Sequence, residues 1–445
     1  MMFVRYCSAT LIAAALLCST AYASDEAYED WNAKFQMTLN WQHHPKFNSP
    51  YSGANSLTSD ADNMYTYSVT GHFGFRPWRN GEVYYNPEFT AGVPFGGSLV
   101  GNGSYTNGEI TRAGGETIKY YRQRLFYRHT WNNGGGVEQL GSEANQMACV
   151  VDKNRVVLTA GNFSILDVFD DNTYAKDPRT QFMNWGSWTY AAYDYAADAR
   201  GFGWGFAVEW YLDDWVFRLG RITGPVRPNE LEVDFQIGKH YGDQIEIERA
   251  HTLFERPGKS RLLVWRNKAN MSRFSDAQSY LQANPTANSD PSPLFNTRND
   301  EQYKWGVGIN LEQEISNNAG VFLRAMHSDG QTETYAFTEV DDSIAVGALI
   351  QGAAWGREGD TIGVAFLKNT ISAARRDYLA AGGMSYFLGD GALNYQPELV
   401  FEAFYGWKFA KGLWLTGDYQ RIANPAYNAD RGPVNVYAIR IHAEF

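Results

Sequence analysis

The sequence predicts an all-β fold, a transmembrane antiparallel β-barrel, and three observations lead to this prediction. Segments of alternating polar and apolar residues recur along the chain, which is the pattern of strands whose two faces meet different surroundings. Aromatic residues make up 15% of the chain and glycine is abundant, as expected for aromatic girdles around a polar interior. The last alternating segment ends the chain on an aromatic residue.

This last segment, Asn435 to Phe445, alternates strictly. One face carries Val436, Ala438, Arg440, His442 and Glu444, while mainly apolar side chains occupy the other face. A chain that stops at an aromatic residue, with no polar tail, suits a closing strand whose end lies at a membrane interface. We therefore expect the segment to pair with the first candidate strand, Ala33 to Trp41.

The first residues have the pattern of a secretory signal peptide. A basic residue, Arg5, precedes the short apolar run Leu11 to Leu17, and Ala21-Tyr22-Ala23 has the small residues of a cleavage site. The predicted domains are a signal peptide over residues 1–23 and a barrel over residues 24–445. Cleavage would leave Cys149 as the remaining cysteine, so no intramolecular disulfide is expected.

The alternating segments set the expected strand number. They are Tyr65 to Arg76, Glu82 to Thr90, Lys119 to Trp131, Trp204 to Trp210, Trp215 to Arg221, Leu231 to His240, Ile245 to Leu253, Arg261 to Lys268, Tyr303 to Glu312, Gly320 to Met326, Ile344 to Ala353, Thr361 to Lys368, Leu399 to Trp407 and Leu413 to Ile422. About 420 mature residues, at roughly 25 per strand with its connection, correspond to about 16 strands and an aqueous channel. The segment from about Ile371 to Leu388 has no clear pattern, and helical periodicity extends nowhere for long.

Several function classes are disfavoured by the sequence. The net charge of −11 argues against a nucleic-acid partner. Neither G-x-S-x-G nor H-E-x-x-H occurs, so the sequence predicts no enzyme and no cofactor. The acidic run around Asp167, Asp170 and Asp171 lacks the spaced ligands, the glycine and the terminal glutamate of a calcium loop, so no metal site is predicted.

Five stretches resemble the carbohydrate-selective porins of Gram-negative outer membranes. They are Gly81 to Glu88 (GEVYYNPE), Arg124 to Arg128 (RLFYR), the insert Gly161 to Asn184, Tyr395 to Glu402 (YQPELVFE), and Tyr419 to Phe445 with NPAYNADRGP inside it. The regions Val100 to Glu116 and Asp276 to Asp300 match poorly. The resemblance implies an outer-membrane channel for passive diffusion of mono- and small oligosaccharides. The implied partners are sugars, outer-membrane lipid and lipopolysaccharide, and both a monomer and a homotrimer remain open.

Three arginines on one predicted strand are the main candidates for a site. Arg122, Arg124 and Arg128 are expected to share one face, with Phe126 between them. A cation facing the membrane midplane costs roughly 2–4 kcal/mol, so this face should line the lumen. A row of fixed donors can pass sugar hydroxyls from site to site. The alternative is that the arginines only neutralise interior carboxylates.

Acidic candidates lie on the neighbouring hairpin and in the insert. Glu88 is expected to face the arginine row, where it would set up a transverse field and accept hydroxyl hydrogen bonds. The insert carries Asp167, Asp170, Asp171 and Arg179 and is expected to fold into the lumen as the constriction. The alternatives are a structural ion pair for Glu88 and a solvated surface loop for the insert.

Other functions of a barrel remain as alternatives. A general or organic-acid porin would have the same fold. A barrel enzyme would need a Ser, Asp and His set at the rim, which the sequence does not assemble. An adhesive barrel without an open pore is disfavoured by the polar inward faces.

Overall fold

The structure, a computed structural model, describes residues 28–285, 292–336 and 338–445. The predicted signal peptide lies outside these residues. The strands are β1 (Trp31–His44), β2 (Asp62–Trp78), β3 (Gly81–Val93), β4 (Gly115–Asn132), β5 (Val137–Leu140), β6 (Cys149–Asp152), β7 (Arg155–Phe163), β8 (Gly203–Leu212), β9 (Trp215–Thr223), β10 (Tyr241–Leu253), β11 (Arg256–Asn270), β12 (Glu301–Ser316), β13 (Ala319–Ser328), β14 (Asp342–Gln351), β15 (Thr361–Thr370), β16 (Glu398–Ala410), β17 (Leu413–Ala423) and β18 (Val434–Glu444).

Within the described residues, sixteen of these strands form a closed antiparallel barrel, which confirms the predicted fold class. Strands β5 and β6 pair with each other outside it. The barrel closes between β1 and β18, where Gln36 is opposite Glu444. The backbone N–H and C=O groups of Phe445 bond to those of Phe35 at 2.9 and 3.0 Å. The terminal segment is therefore the closing strand, as its alternation predicted.

The connections differ at the two ends of the barrel. At one end, here the turn end, β2 and β3 are joined by Arg79 and Asn80 alone, and Asn80 has the positive φ of 68° that a two-residue hairpin turn requires. The connections at the opposite end, here the loop end, are much longer. The exception at the turn end is residues 133–154, which carry the β5–β6 hairpin.

The outward faces carry the side chains expected of a barrel in lipid. Exposed aromatic residues near the turn end include Trp31, Trp78, Trp131, Trp210 and Trp215, and those near the loop end include Tyr120, Tyr303, Trp305 and Tyr437. Exposed aliphatic side chains such as Ile245, Leu262 and Val264 lie between these levels. Amphipathic rings prefer the two membrane interfaces, so the two girdles mark the span of the hydrocarbon.

Three local expectations differ from the structure. The expected strand Leu231–His240 is wrong, because this segment is an irregular loop with a single bridge between Pro225 and Val233. The strand β7 was not predicted, because its outward Val156 and Leu158 alternate with the inward Val157, which hides the period of two. The unassigned segment after Ile371 contains the helix Ala373–Ala380.

The helices lie in the connections of the loop end. They are α1 (Trp185–Trp188), α2 (Phe274–Ala283), α3 (Ser292–Asn296) and α4 (Ala373–Ala380). Loop-end connections also contain 3₁₀ turns at Phe95–Gly97, Gly108–Arg112, Ile165–Asp167 and Pro425–Tyr427, and the β14–β15 connection at the turn end contains one at Gly352–Trp355. In the part of the chain that the structure describes, none of the helices has the length and apolar character needed to cross a membrane.

Two connections fold into the barrel, and we name them loop A (residues 94–114, between β3 and β4) and loop B (residues 164–202, between β7 and β8). Most of loop B is buried, as is the middle of loop A. Inward-facing glycines make room for the rings of loop B. A Cβ at Gly220 would lie 2.9 Å from the Phe169 ring, and one at Gly363 would lie 2.8 Å from the Phe182 ring. The insert therefore occupies the lumen, as the sequence predicted.

Candidate functional site

The first element of the candidate site is a β-bulge that changes which arginines face the lumen. Strands β3 and β4 pair Asn86 with Arg124, but the next pair is Pro87 with Arg122, so Gln123 is an extra residue on β4. One extra residue moves the following side chains to the other face. The expectation that Arg122 shares a face with Arg124 is therefore wrong. Arg122 is exposed on the outside, 4.9 Å above the ring of the outward Trp204.

Glu88 lies in the lumen, where neutral donors and one cation surround its carboxylate. Thr70 and Gln123 donate hydrogen bonds to it at 2.8 and 2.9 Å, and the Tyr121 hydroxyl donates a third. The Nη2 of Arg179 lies 2.5 Å from its Oε1. Glu88 is completely buried. The cation that bonds to it is Arg179 of loop B and not one of the arginines of β4.

Arg179 joins both inward loops to the barrel wall. Its guanidinium bonds to Glu88 on β3, to the Thr70 hydroxyl on β2 at 3.1 Å, and to Glu109 of loop A. The charges of Glu109 and Glu88 outweigh the effect of burial and raise the pKa of Arg179 above its usual range. A buried guanidinium between two carboxylates stays ionised and holds a fixed geometry, because each of its three nitrogens has an acceptor.

Arg124 and Asp167 form the second ion pair of this region. The Nε and Nη2 of Arg124 donate to the two carboxylate oxygens of Asp167 at 2.7 and 2.6 Å. Burial acts to raise the pKa of the Asp167 carboxyl, but the charge and hydrogen bonds of Arg124 outweigh it and hold that pKa below its usual range. Gln123 accepts a hydrogen bond from Arg124 and donates one to Glu88, so it links the two ion pairs.

Arg128 lies on β4 nearer the turn end than Arg124. Its guanidinium is 5.3 Å from the centres of the Tyr84 and Phe126 rings, and its Nη1 donates to the Asn145 carbonyl at 2.9 Å. Asn145 belongs to the long connection at the turn end. Along an extended strand, four residues span about 13 Å, so Arg124 and Arg128 mark two levels of the lumen.

Two of the expected acids lie on another wall. Asp170 is almost completely buried and accepts hydrogen bonds from Arg324 of β13 and Asn310 of β12 at 2.8 and 2.6 Å. Asp171 is partly exposed and pairs with Lys176 at 2.5 Å. The ammonium of Lys176, with Arg261, holds the pKa of Asp171 far below its usual range. The eight expected residues therefore do not form one cluster.

Exposure separates the groups that meet water from those that hold the structure. The side chains of Arg124, Arg128 and Asp167 are 12%, 22% and 24% exposed, whereas Glu88 is 0% exposed. Arg112 of loop A is 20% exposed and lies 5.6 Å from the Phe202 ring, which Arg124 also approaches at 5.2 Å. From the loop end towards the turn end, these three partly exposed arginines follow in the order Arg112, Arg124 and Arg128.

Sequence reasoning missed Glu109, Arg112, Tyr121 and Gln123. The first two lie in the 3₁₀ turn Gly108–Arg112 of loop A, in a region that matched the family poorly. Alternation placed Tyr121 and Gln123 on the outward face, and the bulge reverses this. The two adjacent tyrosines Tyr120 and Tyr121 interrupt the alternation of β4, and this interruption was the signal in the sequence that could have indicated the bulge. Phe163 of β7 and Phe169 of loop B are fully buried in the packing of loop B.

No group of three or more His, Cys, Asp or Glu side chains in the described ranges is arranged to hold a metal ion. Cys149 is a free and buried thiol in the long connection at the turn end. The candidate site therefore consists of guanidinium, carboxylate, amide and hydroxyl groups around a partly hydrated path, with rings at its edges. Such a set exchanges hydrogen bonds with a neutral polyhydroxylated solute without a chemical step.

Comparisons with known proteins agree with this architecture. The family described as "Carbohydrate-selective porin, OprB family" matches residues 68–445. The high-pH structure of Pseudomonas putida OprB is similar with a TM-score of 0.67 at 14% identity, covering 96% of this chain and 100% of that chain. The outer membrane channel DcaP of Acinetobacter baumannii has a TM-score of 0.51 at 9% identity, covering 96% and 100%. A search of curated proteins gives no match.

Proposed function

Because the chain belongs to the carbohydrate-selective porin, OprB family, we propose that sugars cross its outer-membrane barrel along three partly exposed arginines, Arg112, Arg124 and Arg128. In outer-membrane barrels the short turns face the periplasm and the long loops face the exterior. The loop end is then the entrance and the turn end the exit. Sugars would meet Arg112, Arg124 and Arg128 in that order.

The observation that carries this proposal is the difference in exposure between the two ion pairs. Glu88 and Arg179 are buried and hold loops A and B in place, so they position the path. Arg124 and Asp167 present a donor edge and an acceptor edge to water side by side. A sugar hydroxyl is both donor and acceptor, so it can replace water at such a pair with little net change in hydrogen bonding. Weak, repeated exchange of this kind allows binding without trapping.

The rings beside the arginines support the same role. Phe202, Phe126 and Tyr84 each lie within about 5.5 Å of a guanidinium carbon along the row. Such contacts hold the guanidinium planes in fixed orientations, which leaves their free N–H groups aimed at the path. The proposed function is passive diffusion of mono- and small oligosaccharides, and no energy source or catalytic step is required.

Planar-bilayer conductance with sugar block tests the proposal. The purified protein should open channels whose ion current falls as neutral sugars are added, because a bound sugar displaces hydrated ions from the constriction. An organic acid of similar size is the comparison solute. Channels that respond equally to the acid and to every sugar would support a general or organic-acid porin instead, and a protein without channels would contradict the proposal.

A further inference from the structure

A cluster of charges lies on the outside of the barrel near the loop end, where side chains face lipid. Arg221 of β9, Asp243 of β10 and Arg266 of β11 point outward, within four residues of the ends of their strands at that end. Lys268 of β11 and Glu301 of β12 follow on the same surface. We call these five residues the outer charge cluster. They play no part in the lumen.

The contacts within the cluster leave it with an excess of cations. Asp243 accepts from the Nε and Nη2 of Arg221 at 2.6 and 2.9 Å, and from the Nε and Nη2 of Arg266 at 3.0 and 2.9 Å. One carboxylate therefore serves two guanidiniums, and the Nη1 groups remain outside this pairing. Lys268 pairs with Glu301 at 2.5 Å. The cluster carries three cations against two carboxylates.

Aromatic rings fix the cations at the membrane interface. Arg221 lies 4.0 Å above the Tyr241 ring, and Arg266 and Lys268 lie 5.9 and 6.0 Å from the Tyr303 ring. Tyrosine rings prefer the headgroup level of a bilayer. The guanidinium planes are thus held at the depth where the charged parts of lipid headgroups lie, and Arg266 is the most exposed of the three, at 53%.

The loop between β9 and β10 adds an apolar surface beside the cluster. Leu231, Phe235 and Ile237 are exposed, and Phe235 stacks 6.0 Å from Trp204 on the outer wall of the barrel. Lys239 of the same loop and the outward Arg122 of β4 add two cations at this level. The same loop also carries the exposed Glu230 and Glu232 and the half-buried Asp234, which pairs with His240 at 2.6 Å. Large exposed apolar side chains beside cations mark an interaction surface rather than a hydrated loop.

We propose that this surface binds a phosphorylated lipid of the outer leaflet, with its phosphate on Arg221 and Arg266 and its acyl chains against Phe235 and Leu231. Charge complementarity of the outer charge cluster selects this occupant. Three cations stand there against two carboxylates, and the Nη1 groups of Arg221 and Arg266, which do not bond to Asp243, can donate to phosphate oxygens. The apolar rim selects a lipid over a free anion, because an ion in water gains nothing from those side chains. This role is independent of sugar passage.

The test is native mass spectrometry of the detergent-solubilised protein with diphosphoryl lipid A as the probe. Wild type should retain lipid A, and R221Q/R266Q should retain it about 25-fold more weakly, since each cation near an anionic lipid surface contributes about fivefold. R249Q is the matched control, because Arg249 also faces outward over a ring, that of Trp215, but at the turn end. It should bind like wild type. Sugar block should be unchanged in all variants, so the outcome does not depend on the proposed transport function.

Three outcomes would overturn the inference. Equal retention of lipid A by R221Q/R266Q would remove the cluster from lipid binding. Displacement of lipid A by inorganic phosphate at equal concentration would assign the site to a free anion. An oligomer in wild type that R221Q/R266Q abolishes without change in lipid binding would make the surface a contact between copies of the chain. Replacing both arginines leaves the Asp243 carboxylate without these partners. If R221Q/R266Q fails to fold, the triple variant R221Q/D243N/R266Q, which also removes that carboxylate, is compared with wild type in its place.

Discussion

The barrel interior has two contrasting walls. One, the anchoring wall, holds the backbone of the inward loops, and the other holds these loops through ion pairs and also has partly exposed arginines. On the anchoring wall, β16 to β18, the carboxylate of Glu402 accepts hydrogen bonds from the backbone N–H groups of Met183 and Asn184 and from the Ser187 hydroxyl. Glu398 does the same for Gly103 and Ser104 of loop A. On the wall formed by β3 and β4, carboxylates and guanidiniums pair with each other.

The difference shows how a porin lumen can hold loops without losing its path. Glu398, Glu402 and Arg440 of the anchoring wall are 0% exposed, and Arg440 donates to the carbonyls of Pro178 and Gln181 at 2.8 Å. A carboxylate enclosed by backbone donors has no capacity left for a solute. Arg124 and Arg128 of β4 are 12% and 22% exposed, although Arg124 bonds to both Asp167 and Gln123. The anchoring wall therefore excludes water from the groups that hold the loops, whereas the wall of β3 and β4 leaves part of its arginines accessible to a solute.

The largest effect should follow from breaking the anchoring wall. Glu402→Ala removes three hydrogen bonds to a buried carboxylate and should lower the free energy of unfolding by about 3 kcal/mol. Release of loop B should raise single-channel conductance at least about twofold, because that loop narrows the lumen. Phe401→Leu on the outward face of the same strand is the control and should leave conductance unchanged. Unaltered conductance in Glu402→Ala would mean that loop B keeps its place without this anchor.

A smaller effect should follow on the wall formed by β3 and β4, where Arg122 and Arg124 of β4 face opposite sides. Arg124→Ala should weaken sugar block about tenfold, since it removes charged hydrogen-bond donors from the path, while the barrel still folds. Arg122→Ala is its matched control, because Arg122 faces lipid over Trp204. Bilayer titrations with one sugar measure both variants. Equal weakening in the two variants would contradict the bulge register, and unchanged block in Arg124→Ala would remove this residue from the site.

The smallest effect should be the dependence on pH. Arg124 lowers the pKa of Asp167, so this carboxylate stays ionised below the ordinary aspartate pKa of about 3.9. Its contribution to stability is present above that ordinary value and is lost as the pH falls through the lowered folded pKa. Sugar block should therefore be constant between about pH 8 and pH 5 and decline only in stronger acid. A decline near neutral pH would show that another group controls the path. Asp167→Asn should remove the decline in acid.

Much of the architecture could be predicted because lipid and water impose a simple rule on each strand. Alternation identified most strands of the barrel, and the closing role of the last strand followed from its alternation and terminal ring. The errors lie where that rule does not apply. Leu231–His240 alternates but lies in a loop against the outer wall, and β7 has the apolar Val157 on its inward face between the outward Val156 and Leu158.

The sequence by itself determined that this chain is a barrel with cations and carboxylates in its interior, because strands that separate lipid from water must alternate. It also placed Arg124, Glu88 and the insert on the right sides of the wall. The tertiary structure alone decided which of these groups meet. One extra residue at Gln123 turned Arg122 outward, and loop B paired Arg179 with Glu88 and Asp167 with Arg124. Register and loop docking depend on contacts between residues far apart in the chain, and alternation within one strand carries no information about them.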